Sequence, residues 1–292
     1  MSFRCFQWMM TYADGSGGFR TMQSQRYIRI PLPLITCLLA TVLLGGCYTV
    51  PETGRRSINF ISVGQEAQMG AASFAELKKE EKVSTNPILV ERVQTIGERI
   101  AAVVGDDLPS AEWEFVVFEN PAINAFALPG GKVGVYTGLM ELTETDAELA
   151  TVIGHEIAHV TARHGSERMS QNILVTAGAI GVGVATKDQS SSDRNLALAA
   201  YGIGTTVGVL LPYSRKHESE ADIIGLHYAA RAGYDPRAAI DFWERMARAS
   251  EGKTKPPEFL STHPADETRI QNLKKIMPVA LDFYDPDGAG KP

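Results

Sequence analysis

The chain has 292 residues, of which 44% are hydrophobic and 21% are charged, a balance that fits one large globular domain or two small ones. The formal net charge is −6, and no stretch is rich in lysine and arginine. Nucleic acid is therefore not expected as a partner.

The first 46 residues have the pattern of a secretory signal. Arg26 and Arg29 precede an apolar run, 30–44, which is followed by Gly45-Gly46-Cys47. A basic segment, a short apolar segment and small residues before the cleavage point together form a signal peptide. The apolar run is too short, and too interrupted by proline, for a good membrane span.

The end of this segment resembles a bacterial lipobox, because Leu44 stands three residues before Cys47 and a glycine directly precedes it. The resemblance implies a protein of the cell envelope that is lipid-anchored at Cys47 and faces the periplasm. Tyr48 after the cysteine favours the outer membrane. A plain signal peptide and an uncleaved anchor are the alternatives, and Met22 is a candidate true start. Cleavage would leave no second cysteine, so no disulfide is predicted.

The segment after the signal, 47–61, contains proline, glycine and arginine and is interpreted as a tether. Ser62, with Gln65 three residues later, predicts a capping box and a helix that runs to about Lys82. A second helix is predicted from Ile88 to Val104 by a single apolar stripe.

A small β-structure is predicted after these helices. The segment from Trp113 to Phe118 is rich in β-branched and aromatic residues, which indicates a strand. The segments from Ala122 to Leu128 and from Lys132 to Tyr136 flank the turn residues Pro129-Gly130-Gly131, and together they predict a hairpin.

The motif H-E-x-x-H begins at His155 and ends at His159, within an apolar run that predicts a helix from Thr145 to about Arg168. Residues four apart lie on one face of a helix, so both imidazoles can reach one zinc ion. Glu156 then lies beside the ion. A carboxylate at that position serves as the base that takes a proton from the water that the zinc activates.

Two stretches rich in glycine, alanine and valine follow, from Ile173 to Ala185 and from Leu196 to Leu211, with a polar loop, 187–195, between them. Each is shorter than the roughly 20 residues that a membrane span needs. The favoured interpretation is a pair of closely packed core helices. The alternatives are a helical hairpin that covers or abuts the active site, and insertion into a bilayer.

A predicted helix from Tyr213 to Ala232 offers candidates for the third zinc ligand that a catalytic site needs. Glu218 and Asp222 are four residues apart and share a face. With Glu218 on the zinc, Asp222 behind it would accept a hydrogen bond from His155 and fix its tautomer. Other polar residues are interpreted as helix-surface or helix-end residues: His164, His217, Glu220 and His227.

Four separated motifs resemble a known family. They are N-A-F-A-L-P-G-G-K-V-G-V-Y-T-G-L-M at 124–140, H-E-I-A-H-V-T-A-R-H-G at 155–165, S-R-K-H-E-S-E-A-D at 214–222, and S-T-H-P at 261–264 followed by Arg269. In this order they are similar to the zinc metallopeptidase family that includes HtpX, the CAAX prenyl proteases, BepA and LoiP. The periplasmic lipoprotein peptidases of LoiP and BepA type have the nearest shape.

The resemblance implies an α+β, mostly helical fold of the zincin-like (gluzincin) type, with a small β-sheet packed against the H-E-x-x-H helix. We expect a single metallopeptidase domain over 62–280 and a flexible tail over 281–292. Further helices are predicted from Pro236 to Ser250 and from Ala265 to Ile276.

The resemblance also implies one zinc ion per chain and names the residues around it: the ligands His155, His159 and Glu218, the general base Glu156, and the supporting carboxylate Asp222. His263 and Arg269 would stand near the metal. They would stabilise the oxyanion, or His263 would take the position of the water in a closed state.

The expected function is that of a zinc metalloendopeptidase that cleaves misfolded or unassembled envelope proteins, with the outer-membrane assembly machinery as a candidate partner. The strand Asn124-Ala125-Phe126-Ala127-Leu128 is expected to bind an extended substrate at a sheet edge. The main alternative is a zinc-bound chaperone or assembly factor with little proteolysis. An aminopeptidase would need a group for the substrate amine, and a purely structural lipoprotein would leave the metal motif without a purpose.

Overall fold

The computed structural model describes residues 47–250, 257–264 and 267–286. The predicted signal segment and its candidate start, Met22, lie outside these residues, as does the second half of the predicted tail. The strands are β1 (Cys47–Thr49), β2 (Arg56–Ile58), β3 (Glu114–Phe118), β4 (Ala125–Leu128) and β5 (Lys132–Tyr136). The helices are α1 (Val63–Glu80), α2 (Pro87–Val104), α3 (Thr137–Leu142), α4 (Asp146–Thr161), α5 (His164–Ala185), α6 (Ser191–Thr205), α7 (Leu211–Arg231), α8 (Ala238–Ser250), α9 (Glu258–Thr262) and α10 (Glu267–Phe283).

Local signals set the starts of the first two helices. The predicted capping box is present before α1, where the Ser62 hydroxyl accepts from the backbone of Gln65 and the Gln65 side chain accepts from the backbone of Ser62. Asn86 caps α2, and proline occupies the first turn, where its missing N–H is tolerated.

The predicted hairpin is confirmed. β4 pairs antiparallel with β5, β3 pairs parallel with β5, and the strand order is β3-β5-β4. Gly130 and Gly131 adopt φ values of +88° and +85° in the turn, a backbone conformation that glycine adopts without steric cost. β4 starts at Ala125, three residues later than predicted, and forms one end of this three-stranded sheet.

The H-E-x-x-H helix α4 lies at the centre of the core, and α7 crosses it at a pair of glycines. A Cβ on Gly154 would lie 2.8 Å from the backbone oxygen of Gly225, and a Cβ on Gly225 would lie 2.7 Å from the backbone nitrogen of His155. Because neither glycine carries a side chain, the two backbones touch. This contact brings the side chains of α7 to the level of the α4 histidines.

The prediction of one helix from Thr145 to Arg168 is wrong in its extent. α4 ends at Thr161, and α5 begins at His164 after Arg163, which has a φ of +57°. This left-handed conformation costs roughly 1–2 kcal/mol for a residue with a side chain. Ion pairing with Glu66 and a 2.6 Å hydrogen bond to the Ile61 carbonyl hold Arg163 in place.

The segment 47–61, interpreted as a tether, is folded onto the domain. β1 and β2 form a two-stranded antiparallel sheet, and Val50 is fully buried in the main core. The Tyr48 hydroxyl donates to the Thr161 carbonyl at 2.8 Å. Arg231 forms an ion pair with Glu52. These partners lie more than 100 positions away, so local composition does not reveal them.

The favoured interpretation of the two small-residue stretches as core helices is wrong. α5 has no buried residue after Ser170, and α6 has none. The two helices pack on each other, and the Tyr201 hydroxyl donates to the Val175 carbonyl at 3.0 Å. A π-helical turn, Thr206–Leu210, joins α6 to α7. The resulting continuous helix, Ser191–Arg231, is long and apolar enough to cross a membrane, and its apolar part is not buried in the protein.

The contact between Gly154 and Gly225 gives a testable prediction. We expect Gly225→Ala to destabilise the protein by about 1–3 kcal/mol, because the added methyl forces the two helix backbones apart. We also expect weaker metal binding, since the same shift separates the side chains on α7 from those on α4. Urea unfolding and metal content measure the two effects.

Gly202→Ala is the matched control, because a Cβ at that position would meet no atom within 4 Å. Alanine is a better helix former than glycine by about 1 kcal/mol, so this variant should unfold at the same or a higher urea concentration. Equal stability of Gly225→Ala and the unaltered protein would contradict the proposed role of the glycine contact.

Candidate metal centre

Four side chains from three segments converge beneath the sheet edge. His155 and His159 come from α4, Glu218 comes from α7, and His263 follows α9; one nitrogen or oxygen atom of each lies within 4.8 Å of the others. The Nε2 atoms of the two α4 histidines are 3.1 Å apart, and each is 3.4 Å from a Glu218 carboxylate oxygen. His263 Nδ1 lies 2.9 Å from Glu218 Oε2 and 3.1 Å from His155 Nε2. The structure therefore brings the three predicted ligands together and adds His263 to them.

The chemistry of these donors fits a divalent metal ion. Two imidazole nitrogens and one carboxylate form a donor set found in catalytic metal sites. Burial lowers the pKa of His159 well below its ordinary value, so its ring is neutral and offers a lone pair. Burial alone would raise the pKa of Glu218, but the histidines around it hold the pKa far below its ordinary value. That carboxylate is therefore ionised.

Asp222 and Arg269 lie behind the four converging side chains. Asp222 Oδ1 is 3.1 Å from His155 Nδ1, the position predicted for it, which leaves His155 Nε2 facing the other donors. The Arg269 guanidinium donates to both oxygens of Asp222, at 2.6 and 2.9 Å, and to Glu218 at 3.2 Å. It also lies 3.6 Å from the centroid of the Trp243 ring. These contacts favour a positioning role for Arg269 over contact with an oxyanion.

Glu156 is buried beside the converging side chains. Its Oε1 atom has no hydrogen-bond partner among the described residues, and His263 Nε2 is 3.4 Å away. Burial, which outweighs the opposing charges of His263 and Arg269, raises the pKa of Glu156 to about 7. A carboxylate oxygen that is buried and unpaired costs free energy, and such a group often has a catalytic role.

A cavity of about 270 Å³ opens beside Glu156. Glu156, His159 and His263 line this cavity. Four of the five predicted substrate-strand residues also line it: Asn124, Ala125, Phe126 and Ala127. Leu128, the fifth, packs against an aromatic cluster around Phe74 instead. β4 pairs with β5 on one side and lies at the end of the three-stranded sheet, so no strand of that sheet pairs with its other edge.

A buried network of polar side chains next to His159 is missing from the sequence predictions. His164 Nδ1 is 2.9 Å from His159 Nδ1, and His164 Nε2 is 2.9 Å from Glu220 Oε2. Arg55 donates to Glu220 at 2.6 Å and to Glu167 at 2.8 and 3.0 Å. Although burial opposes it, hydrogen bonding from His164, Thr53 and Arg55 lowers the pKa of Glu220 to about 2.

The interpretation of His217 and Glu220 as helix-surface residues is therefore wrong, since both are buried. His164 does lie at a helix end, as the first residue of α5, but it is buried as well. His227 is half-buried and lies 3.3 Å from Glu52. From His217 onward α7 is buried on several faces, because α4, α5 and the β1–β2 segment surround it there. An amphipathic helix pattern, which assumes one buried face, does not reveal these contacts. The R-H-G sequence at 163–165, directly after the H-E-x-x-H helix, was the feature of the sequence that could have indicated this network.

A helix with two metal-binding histidines, a glutamate from a second helix and a small sheet beside them are the parts of a zincin-like metallopeptidase domain. Residues 87–277 match Peptidase family M48, and the chain belongs to that family. This confirms both the family resemblance and the expected mostly helical fold with a small sheet.

Curated relatives cover most of the chain. The chain is 35% identical over 237 residues to the mitochondrial metalloendopeptidase OMA1 of Schizosaccharomyces pombe, and the matched region covers 79% of this chain and 66% of that relative. It is 29% identical over 271 residues to the beta-barrel assembly-enhancing protease of Escherichia coli (strain K12), covering 86% and 55%. Identity to Arabidopsis thaliana OMA1 is 33% over 258 residues, covering 85% and 49%. The chain spans about half to two thirds of the length of these relatives.

The network beside His159 gives the second prediction. We expect Glu220→Gln to weaken metal binding about 10- to 100-fold, because the acceptor that orients His164, and through it His159, loses its charge. Competition with a coloured chelator measures the affinity. Glu76→Gln on the exposed side of α1 is the control and should leave it unchanged. Equal affinities for both variants would show that the network does not support the centre.

Proposed function

We propose that this protein is a zinc-dependent endopeptidase of the cell envelope. The observation that carries the proposal is the convergence of His155, His159 and Glu218 around one point. Beside that point lie a sheet edge and the Glu156 carboxylate, whose Oε1 atom has no hydrogen-bond partner among the described residues. A nitrogen–nitrogen–oxygen donor set with room for a water molecule is the arrangement of catalytic zinc.

A zinc ion held there would polarise the scissile carbonyl and lower the pKa of a water molecule toward 7. Glu156 acts as the general base: its carboxylate takes a proton from the attacking water and later gives it to the nitrogen of the leaving amine. Asp222 and Arg269 keep His155 and Glu218 in position throughout.

β4 supplies the substrate site in this proposal. An extended peptide adds to its free edge through backbone hydrogen bonds, and this places a scissile carbonyl beside Glu156. Backbone hydrogen bonds depend little on the side chains, and so on the sequence, of a substrate. The site therefore suits unfolded or misassembled polypeptides.

The cellular setting is proposed from the sequence. The lipobox-like end of residues 1–46 supports a lipid anchor at Cys47 and a periplasm-facing location, with the outer membrane favoured. Unfolded or unassembled envelope proteins are then the natural substrates. The name of the Escherichia coli relative, a beta-barrel assembly-enhancing protease, supports a link to outer-membrane assembly, whereas the OMA1 relatives are named as mitochondrial.

One observation favours a second candidate, a closed state with little proteolysis that acts in assembly. His263 Nδ1 lies as close to Glu218 and His155 as a fourth metal ligand would. The backbone N–H of His263 donates to the Phe259 carbonyl at 2.8 Å, and its ring contacts the Phe259 ring.

The third prediction separates catalysis from metal binding. We expect Glu156→Gln to abolish casein cleavage while one zinc ion per chain remains bound, because glutamine keeps the shape of the side chain but cannot take the proton. Glu141→Gln, an exposed position on α3, should cleave casein at the unaltered rate. Cleavage by Glu156→Gln that a chelator abolishes would rule out this residue as the base.

The fourth prediction concerns closure. We expect His263→Ala to raise the rate of casein cleavage severalfold and to weaken zinc binding about tenfold, because it removes a donor from the fourth ligand position. Steady-state kinetics and chelator competition measure the two effects. A lower kcat with unaltered zinc affinity would contradict closure and assign His263 to the oxyanion.

A further inference from the structure

The hairpin formed by residues 173–211 is apolar on its outward faces as well as along its internal contact. Among the described residues, ten of the sixteen exposed large hydrophobic side chains belong to residues 173–213. Ile180, Leu196 and Ile203 are 61%, 69% and 66% exposed. A helix that is apolar on all sides is normally buried, in a protein core or in a membrane, and the part of the chain that the structure describes does not bury this one.

Charged residues occur only at the two ends of the hairpin. Residues 173–186 and 195–214 contain none. At the turn the charges are satisfied locally: Lys187 pairs with Asp188, and Arg194 donates to the carbonyl of Lys187 at 2.6 Å. At the base of the hairpin, Arg168, Arg215 and Lys216 are exposed.

These features fit a lipid surface better than a protein partner. A protein interface has an apolar centre with a polar rim, whereas this hairpin is apolar around its whole middle. Tyr213, which is 37% exposed, and the basic base residues match the aromatic and basic anchors at the level of lipid headgroups. Close packing of the Tyr201 ring over Gly178 is the small-residue contact that joins helices in lipid.

We propose that residues 173–211 form a membrane-binding hairpin whose apolar sides are immersed in a phospholipid bilayer, with its basic base at anionic headgroups. The second helix is long enough to cross the hydrocarbon layer, but the first, from Ile173 to Ala185, is only about 20 Å long, short of the roughly 30 Å needed. The two helices share one charged turn, so the shorter helix limits how deeply the hairpin can enter. The hairpin therefore lies at the boundary of headgroups and acyl chains, with both polar ends among the headgroups.

The start of the described chain lies at the same base. The backbone N–H of Phe60 donates at 2.9 Å to the hydroxyl of Ser170, which is three residues before Ile173. Cys47 pairs with Ile58 in the β1–β2 sheet. A lipid on Cys47 and the hairpin would therefore enter the same membrane, but hairpin binding does not require that lipid.

Membrane binding would fix the distance between the candidate metal centre and the bilayer surface. Leu211, the last residue of the apolar stretch, precedes Glu218 by seven positions on one continuous helix, which is about 10 Å along its axis. The centre would then face polypeptides that lie close to the bilayer surface.

Photo-crosslinking tests this proposal on the full chain. A benzophenone amino acid replaces Ile203, and the protein is reconstituted into vesicles of phosphatidylethanolamine and phosphatidylglycerol. Ile88, which is 73% exposed at the start of α2, is the matched control, because both probes share any lipid anchor. We expect at least about fivefold more lipid adduct at position 203 than at 88, by mass spectrometry, as acyl chains surround only the former.

Equal lipid adducts at the two positions would overturn the proposal, and so would crosslinks from position 203 mainly to a second copy of the chain. A second variant adds Ile180→Glu and Val207→Glu on the outward faces. We expect it to lose most of the lipid adduct at 203 while its helicity and metal content stay unaltered. An undiminished adduct in that folded variant would also contradict membrane immersion.

Discussion

The direct contact between the backbones of α4 and α7 is the constraint on which the rest of the structure depends. Two helices that cross with side chains between them lie 8–10 Å apart, whereas Gly154 and Gly225 let these backbones touch. At that separation the Glu218 carboxylate on α7 reaches the imidazoles of His155 and His159 on α4. The H-E-x-x-H motif alone supplies two donors, and this crossing supplies the third.

Close approach also concentrates buried charge, and the surrounding residues balance it. Arg269 lies between Asp222 and Glu218, and its guanidinium packs on the Trp243 ring. On the other side of the centre, Arg55 holds Glu167 and Glu220. An ionised carboxylate in the interior is tolerated only with such partners. The β1–β2 segment, which supplies Arg55, is therefore linked to the candidate metal centre through Glu220 and His164, which contacts His159.

The sequence was sufficient where the signal is local. Ser62 and Gln65 predicted the start of α1, the two glycines after Pro129 predicted the hairpin, and the spacing of His155 and His159 predicted one face of one helix. It was insufficient where the partner is distant. The contacts of Arg55 and the burial of Glu220 depend on several packed helices, and no periodicity records them. Apolar composition predicted burial for residues 173–211 without showing whether protein or lipid would provide it.

Anomalous diffraction at the zinc absorption edge, from crystals of the purified protein, would show whether His155, His159 and Glu218 hold a single zinc ion. We predict one zinc ion per chain with these three side chains at about 2.0–2.2 Å. A Glu218 carboxylate beyond bonding distance, or zinc bound only elsewhere, would show that these residues do not form the zinc site.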